Sequence, residues 1–434
     1  FDEVFAQEGN GLTGGNYLTG LLWALEGLAW DEQYLVRICC TLGELAIHDP
    51  GGNWANRPSN SIVTILLPWL PQTLAPVEKR KVAIQSIITD NPDIGWKLLL
   101  QLLPSQHQTS SGSHKPTWRN QIPEDWEKGV AQKEYWDQVT FYAELAVDTA
   151  GKDYERVLEL IDYFDHLPAP AFDKFITNLS SEELVALPEK KKQPIWDRLI
   201  KFTTKHRKFS DAKWAMPDES LVRIESLANN LAPIDPFNFY QYLFSDRDFD
   251  LFEEKGNWDE QRKNLDEKRQ EAISKLLAEY DLEGVIKFSD TVLSPRDVGH
   301  ALGAIADSEI DRKLLPVFLT LDNQNHKAFI SAYLWRRHNL QGWEWADNLP
   351  KVDWTKEQLG QFLSYLPFEQ NAWDRAQTWL QVAENEYWVR TPANGYQTDD
   401  DLHYAIEKLI QYGRPRAAID CLGKQRFDKQ TINN

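Results

Sequence analysis

The sequence predicts an all-α fold made of tandem antiparallel helical hairpins, arranged as an irregular superhelical solenoid of the TPR or HEAT type. Apolar residues recur at three- and four-residue spacing in segment after segment, which is the periodicity of one helix face. Short breaks rich in Gly, Pro, Asn and Asp separate these segments, and alternating runs of strand length are nearly absent. Such short breaks place consecutive helices antiparallel, and stacked hairpins bury their apolar faces against one another.

The first hairpin is predicted over residues 17–47. Leucines at helical spacing mark one helix that ends near Trp30. Asp31 follows and is predicted to cap the second helix, because its carboxylate can accept hydrogen bonds from the free N–H groups of the first turn. The dipeptide Asp49-Pro50 then ends that second helix.

The same pattern recurs along the rest of the chain. In the last predicted hairpin Gly413 permits the tight turn, and Ala418 is small where the two helices would cross. This unit is therefore the one closest to a tetratricopeptide repeat. The further hairpins are predicted over 76–103, 132–166 (around Gly151), 355–384 (around Pro367) and 399–422 (around Gly413).

The helical pattern has no fixed period, so the repeats are predicted to be degenerate. Two polar segments, 51–60 and 104–123, interrupt it and are predicted to be loops; the second is long enough to be either functional or mobile. The resulting organisation is a linker over 1–16, N-terminal hairpins with protruding loops over 17–125, and degenerate TPR-like repeats over 126–434.

Residues 253–275 form the most highly charged stretch of the chain. Within it Asp259–Lys263 and Arg262–Asp266 stand four residues apart, the spacing at which side chains meet on a helix surface. We predict a solvated helix face with these ion pairs.

The net charge indicates which classes of partner are disfavoured, and the cysteine content indicates the cellular compartment. The 434 residues carry 47 Lys and Arg against 66 Asp and Glu, a net charge of −19, which opposes binding to nucleic acid or anionic lipid. Cys39, Cys40 and Cys421 fit neither a disulfide framework nor a zinc site, and no long apolar run suggests a membrane span. We predict a cytoplasmic protein, and we expect a chain that begins at Phe1 to be part of a longer polypeptide.

The sequence predicts no catalytic, cofactor or metal site, and hence no enzyme in this region. The glycine-rich segment 9–16 lacks the Lys that a P-loop needs to reach phosphates. The nine histidines are scattered, and no Gly-x-Ser-x-Gly elbow occurs. The 18 Trp, 15 Tyr and 19 Phe leave three interpretations open: filling of helix crossings, an interface, or an α/α carbohydrate-active enzyme, which would need two carboxylates across a cleft.

Large aromatic residues beside Arg in polar loops favour the interface, because Trp and Arg are enriched at binding hot spots. The alternative for the first loop is that its asparagines hold an irregular turn and its Trp folds back over the helices. Two further tryptophans follow the turn residue Gly342. The predicted partner-binding residues are Trp54, Asn56, Arg57, Asn60, Trp118, Arg119, Trp343 and Trp345.

Four distinctive segments lie between residues 22 and 104. They are Trp23-Ala24-Leu25-Glu26, Gly51-Gly52-Asn53-Trp54-Ala55-Asn56-Arg57-Pro58-Ser59-Asn60-Ser61, Leu67-Pro68-Trp69-Leu70-Pro71-Gln72-Thr73 and Gly95-Trp96-Lys97-Leu98-Leu99. With these segments the stretch resembles the C-terminal helical region of very large bacterial STAND NTPases, the group that includes the Avs antiviral proteins. The resemblance is strongest over about 17–125.

The resemblance implies a sensor region. In that family an effector such as a nuclease or NADase precedes an NTPase that binds ATP and Mg²⁺, and a TPR-like array recognises a phage protein such as the terminase or portal. Recognition triggers oligomerisation through the NTPase part. We therefore expect a protein-binding sensor that itself holds no cofactor; the alternatives are a helical scaffold for a host protein and the α/α carbohydrate enzyme.

Overall fold

The computed structural model describes Phe5 and residues 17–51, 56–105, 108–110, 112–117, 122–151, 153–245, 251–252, 257–320, 322–398 and 401–432, with backbone only over 424–432. Over these residues the chain consists of helices and connecting turns, without a β-strand. The predicted all-α fold is confirmed, and consecutive helices pack as hairpins. None of the described helices is long and apolar enough to cross a bilayer.

The chain divides into two compact units, Phe1–Ala232 and Pro233–Asn434. The predicted boundary between residues 125 and 126 falls inside the first unit. The helices of the first unit are α1 (Tyr17–Ala29), α2 (Leu35–Ile47), α3 (Pro58–Leu66), α4 (Val77–Asp90), α5 (Pro92–Leu102), α6 (Gln132–Ala150), α7 (Tyr154–Ile161), α8 (Ala169–Leu179), α9 (Glu182–Val185), α10 (Glu189–Lys208) and α11 (Asp218–Leu231).

The first hairpin forms as predicted, but its second helix begins later than expected. Helix α2 starts at Leu35, with Tyr34 in the N-cap position. Asp31 lies in the turn before it, where its carboxylate accepts a hydrogen bond from the Gln33 N–H at 2.9 Å. The predicted cap is therefore wrong: Asp31 stabilises the turn between the helices and leaves the N-terminus of α2 without a side-chain cap.

The next hairpins follow their predicted breaks. Pro92 begins α5 directly after α4, and Gly95 lets the two helices meet closely, since a Cβ there would lie 2.7 Å from the Ile88 Cα. Gly151 ends α6 with a φ of +44°, and the Asp153 carboxylate caps α7. Proline and glycine thus set these two breaks.

The second unit encloses one buried hydrophobic cluster that runs in sequence from Leu243 to Cys421. The hairpins predicted around Pro367 and Gly413 are present, and Ala418 is buried. The helices are α12 (Pro236–Tyr240), α13 (Trp258–Thr291), α14 (Pro295–Ile305), α15 (Ser308–Phe318), α16 (Gln324–Asn348), α17 (Lys356–Ser364), α18 (Gln370–Arg375), α19 (Asn385–Trp388), α20 (His403–Gln411) and α21 (Pro415–Ile432).

Two glycines allow a close crossing of α14 and α16. A Cβ on Gly303 would lie 2.7 Å from the Tyr333 carbonyl oxygen, and one on Gly299 would overlap the Phe329 carbonyl. Helix α16 itself bends at Gly342, where a φ of +65° with a ψ of −162° is accessible to glycine alone. This bend turns the chain just before the two predicted site tryptophans.

Candidate functional site

The first predicted site loop is closed by its own arginine. The Arg57 guanidinium forms an ion pair with the Asp49 carboxylate and donates a hydrogen bond of 2.5 Å to the Gly51 carbonyl oxygen. Both side chains of the pair are largely buried, with 14% of Arg57 and 12% of Asp49 exposed. Arg57 therefore holds the start of the loop against its end, whereas Asn56 and Asn60 are exposed. Trp54 lies outside the described residues.

The second predicted site loop is fixed to helix α1 over its described part. One oxygen of the Glu26 carboxylate accepts the His114 N–H at 2.7 Å, and the other accepts the Ser61 hydroxyl at 2.6 Å. The Trp30 indole N–H donates to the His114 carbonyl oxygen at 3.2 Å. Glu26 thus ties three chain segments together, while the predicted Trp118 and Arg119 lie outside the described residues.

A buried amide strengthens the same attachment. The Gln72 side chain is fully buried, and its Oε1 accepts the Ser113 N–H at 3.2 Å. Trp69, three residues before it, donates from its indole to the Gln108 amide oxygen at 3.1 Å. The long polar segment is therefore packed into the first unit over its described residues.

The sequence analysis did not find these partners. One signal was available: Glu26 is the only charged residue of helix α1.

Trp343 and Trp345 occupy different environments, although they follow the same bend. Trp343 is half-buried, donates from its indole to the Glu369 carboxylate, and lies with its ring 4.4 Å from the Arg375 guanidinium. Trp345 is buried, and its indole donates to the Asp311 carboxylate at 2.9 Å. A side chain this deeply placed has a structural role, so of the two only Trp343 presents part of its ring to solvent.

A more prominent feature of the first unit is an apolar stripe on the outer side of helix α1, here called the α1 face. It consists of Tyr17, Gly20, Leu21, Ala24 and Leu28, all exposed. Their spacing of three and four residues places them on one side of the helix. Tyr17 is 74% exposed and Leu28 is 42% exposed, where a surface helix ordinarily carries polar side chains.

The aromatic surface extends beyond this stripe. Trp23 is 48% exposed and stacks on the His114 ring, with 5.3 Å between the ring centroids. Because Glu26 fixes the backbone of His114, the loop holds this stacked pair beside α1. Helix α1 therefore offers apolar or aromatic surface on both its outer face and its loop-facing flank.

The two adjacent cysteines of helix α2 are not poised for nucleophilic chemistry. Cys39 is buried, and burial raises the pKa of its thiol far above neutrality; burial also raises the pKa of Cys40, with Asp90 adding to the effect. Thiols in this state are poor nucleophiles. The described part of the chain contains no group of three or more His, Cys, Asp or Glu side chains arranged to hold a metal ion.

The fold and surface define the class of protein only broadly, as an all-α protein of packed helical hairpins. No family model, no curated protein and no solved structure matches the chain.

Proposed function

We propose that this chain is a protein-binding sensor region of a STAND-type defence NTPase, and that the α1 face forms part of its contact surface. The observation that carries the proposal is the exposed stripe on α1, from Tyr17 to Leu28. Contiguous apolar surface rimmed by polar residues marks interaction sites on folded proteins. In this proposal the partner is a foreign protein, such as a phage terminase or portal.

The chemistry of the stripe favours a protein over other macromolecules. A net charge of −19 opposes a phosphate backbone as partner. Helix α1 also contains no Lys or Arg, whereas helices that lie on membrane surfaces carry basic side chains on their polar face. An apolar, aromatic and uncharged surface matches the core of a protein–protein interface.

The position of the stripe supports the link to the STAND group. Helix α1 and the loop held by Glu26 both lie within residues 17–125, where the resemblance to that group is strongest. Partner binding would then promote oligomerisation through the NTPase part of the complete protein, with ATP and Mg²⁺ bound in that part.

The test uses the complete protein that contains this chain, co-expressed with single phage proteins such as terminase and portal. Partner-dependent ATP hydrolysis and oligomerisation are measured for the wild type and for Leu21→Glu and Leu28→Glu. We expect each substitution to abolish activation, because burying an unpaired carboxylate in an apolar contact costs several kcal/mol.

The matched control is Val222→Glu on helix α11 of the same unit. Val222 is also an exposed aliphatic residue, with a relative exposure of 50%. This variant should leave activation intact. Normal activation of both leucine variants would exclude the α1 face as the contact surface. Partner binding without any change in ATP hydrolysis would instead support the scaffold alternative.

A further inference from the structure

The second unit contains a basic cleft, although the chain as a whole is acidic. Its cavity measures about 820 Å³ and is lined by five basic side chains against two carboxylates. The basic residues come from three helices: α13, α14 and α16. They are Arg262, Lys263, Arg269, Arg296 and Arg336.

The two carboxylates are already engaged. Asp297 lies 3.1 Å from the Arg269 guanidinium, which also donates to the Leu243 carbonyl oxygen. Asp266 lies 3.4 Å from the His300 ring nitrogen and 3.8 Å from the Arg336 guanidinium. The carboxylates therefore neutralise Arg269 and only part of the remaining positive charge.

Three guanidiniums in this cleft have unused hydrogen-bond donors. The side chains of Arg262 and Arg296 make no hydrogen bond or ion pair with any described residue. The Nε of Arg336 is buried and has no hydrogen-bond partner among the described residues. A buried donor without a partner is costly, and like charges gathered in one cavity repel one another. An anion in the cleft would relieve both costs.

Helix α14 adds a second source of positive potential. Ser294, its N-cap residue, lines the cavity, and its side chain makes no capping hydrogen bond. The free N–H groups and the dipole at the start of an eleven-residue helix favour negative charge. The helix start and the arginines thus face the same cavity.

A second cavity of about 510 Å³ adjoins the first and shares Arg296 and His300 with it. Its lining includes the aromatic side chains of Trp335 and Tyr365. The combined space therefore has a basic end and an aromatic end, separated by these two shared residues.

We propose that the basic cleft binds a small ligand that carries two or more phosphate groups. Guanidiniums recognise phosphate oxygens through paired hydrogen bonds, and several of them converging from separate helices suit more than one phosphate. The volume is that of a small-molecule pocket. The cleft shares no residue with the α1 face and does not depend on the proposed sensor function.

The probe is sodium tripolyphosphate, titrated into the 434-residue chain by calorimetry at low ionic strength, where charge interactions are least screened. We expect saturable binding that Arg296→Gln and Arg336→Gln each weaken about 10-fold, the loss expected for one charge-assisted hydrogen bond. The matched control is Lys275→Gln, which removes one charge from an exposed residue of α13, one of the three helices that line the cleft; Lys275 is paired with Glu271 at 2.7 Å. This variant should bind like the wild type.

A second arm distinguishes an inorganic from an organic source of the phosphates. If Trp335→Ala weakens binding of ATP and leaves that of tripolyphosphate unchanged, the ligand is a phosphate ester with an aromatic group. If Trp335→Ala changes neither affinity, the phosphates alone are recognised. Absence of saturable tripolyphosphate binding would overturn the proposal, as would an equal loss in Lys275→Gln and Arg296→Gln.

Discussion

Arg80 in the first unit and Arg337 in the second are both buried, but they are neutralised in different ways. Arg80 donates to the neutral Gln138 amide oxygen at 2.7 Å and forms an ion pair with Glu134, whose side chain is 37% exposed. Arg337 forms an ion pair with Asp311 in which 4% and 1% of the side chains are exposed. Water can therefore reach the Glu134 carboxylate of the first ion pair, whereas both side chains of the second ion pair are sealed from solvent.

In the sealed pair, both charged side chains make several hydrogen bonds. Asp311 accepts from the Arg337 Nε at 3.1 Å and Nη2 at 2.6 Å, from the Tyr333 hydroxyl at 2.6 Å and from the Trp345 indole at 2.9 Å. Arg337 also donates to the Ala306 carbonyl oxygen at 2.8 Å. Burial raises the pKa of Tyr333, and the adjacent Asp311 carboxylate adds to this, so the phenol stays protonated as the donor.

The stability of a buried charge depends on whether water can reach its partner. Where the partner is half-exposed, water can replace it. Where the partner is enclosed, its removal leaves a bare charge in a medium of low dielectric constant. The two units should therefore respond very differently to loss of one carboxylate.

The largest expected effect is in the second unit. Asp311→Ala should lower its free energy of unfolding by about 3–5 kcal/mol, because it leaves the Arg337 guanidinium buried without a counter-charge and removes the acceptor of Tyr333 and Trp345. Hydrogen exchange of peptides from α14 to α16, combined with denaturant unfolding, measures this loss.

The control for this prediction is Asp311→Asn, which keeps one acceptor oxygen and the shape of the side chain. It should cost less than the alanine variant. A loss below about 1 kcal/mol in Asp311→Ala would contradict the sealed-pair interpretation, because only a pair that water can reach is worth so little.

The second effect concerns glycine. Gly299→Ala should destabilise the second unit by about 1–3 kcal/mol, the usual cost of overpacking, because its Cβ would overlap the Phe329 carbonyl of α16. The matched change in the first unit is Gly20→Ala on α1, where a Cβ meets nothing within 4 Å. That variant should gain up to about 1 kcal/mol from helix propensity. Thermal unfolding of both variants tests the pair, and equal shifts would refute the close crossing.

The third effect concerns Asp197 in the first unit. Its hydrogen-bond partner is a neutral amide, whereas Asp311 faces the Arg337 guanidinium. Burial raises the pKa of Asp197 to about 6, although a hydrogen bond of 3.1 Å from the Gln193 amide opposes the rise. The folded state then holds this proton more tightly than the unfolded chain, whose Asp pKa is about 3.9. The resulting stability is full below the unfolded value and is lost as the pH rises through about 6.

Asp197→Asn cannot ionise and removes this pH dependence. Relative to the wild type, it should gain about 1 kcal/mol between roughly pH 5 and pH 7.5, a figure reduced for the solvent access of this side chain. Denaturant unfolding of both proteins across that range measures the difference, in which the contributions of all other titrating groups cancel. A difference that stays constant with pH would contradict the raised pKa.

The sequence predicted the hairpins well because local signals determine them. Periodic apolar faces locate the helices, and Pro92, Gly151 and Gly413 mark breaks that the backbone requires. The cap assigned to Asp31 was wrong because a carboxylate in a short connection can satisfy the turn as readily as the helix.

Contacts between distant segments were not predictable in the same way. Glu26 binds His114 across 88 residues, and no local pattern encodes that pairing. Asp266 was predicted to pair with Arg262 four residues away, yet it pairs with His300 and Arg336. The net charge of −19 also concealed the basic cleft, because composition averages over surfaces that the fold separates.

The smallest expected effect returns to Arg80. Glu134→Gln removes the negative charge from the ion pair and keeps an amide oxygen that can still accept from the guanidinium. Water can reach this position, since the Glu134 side chain is 37% exposed, and Gln138 continues to bind the buried end of Arg80 at 2.7 Å. We therefore expect a loss below about 1 kcal/mol, in the range of solvent-accessible ion pairs. Denaturant unfolding, combined with hydrogen exchange of α4 and α6, measures this change. The comparison variant is Gln138→Leu, which should lower the free energy of unfolding further because it removes the buried acceptor of Arg80. A loss in Glu134→Gln as large as that in Asp311→Ala would mean that water does not reach Arg80, and the contrast between the two arginines would fail.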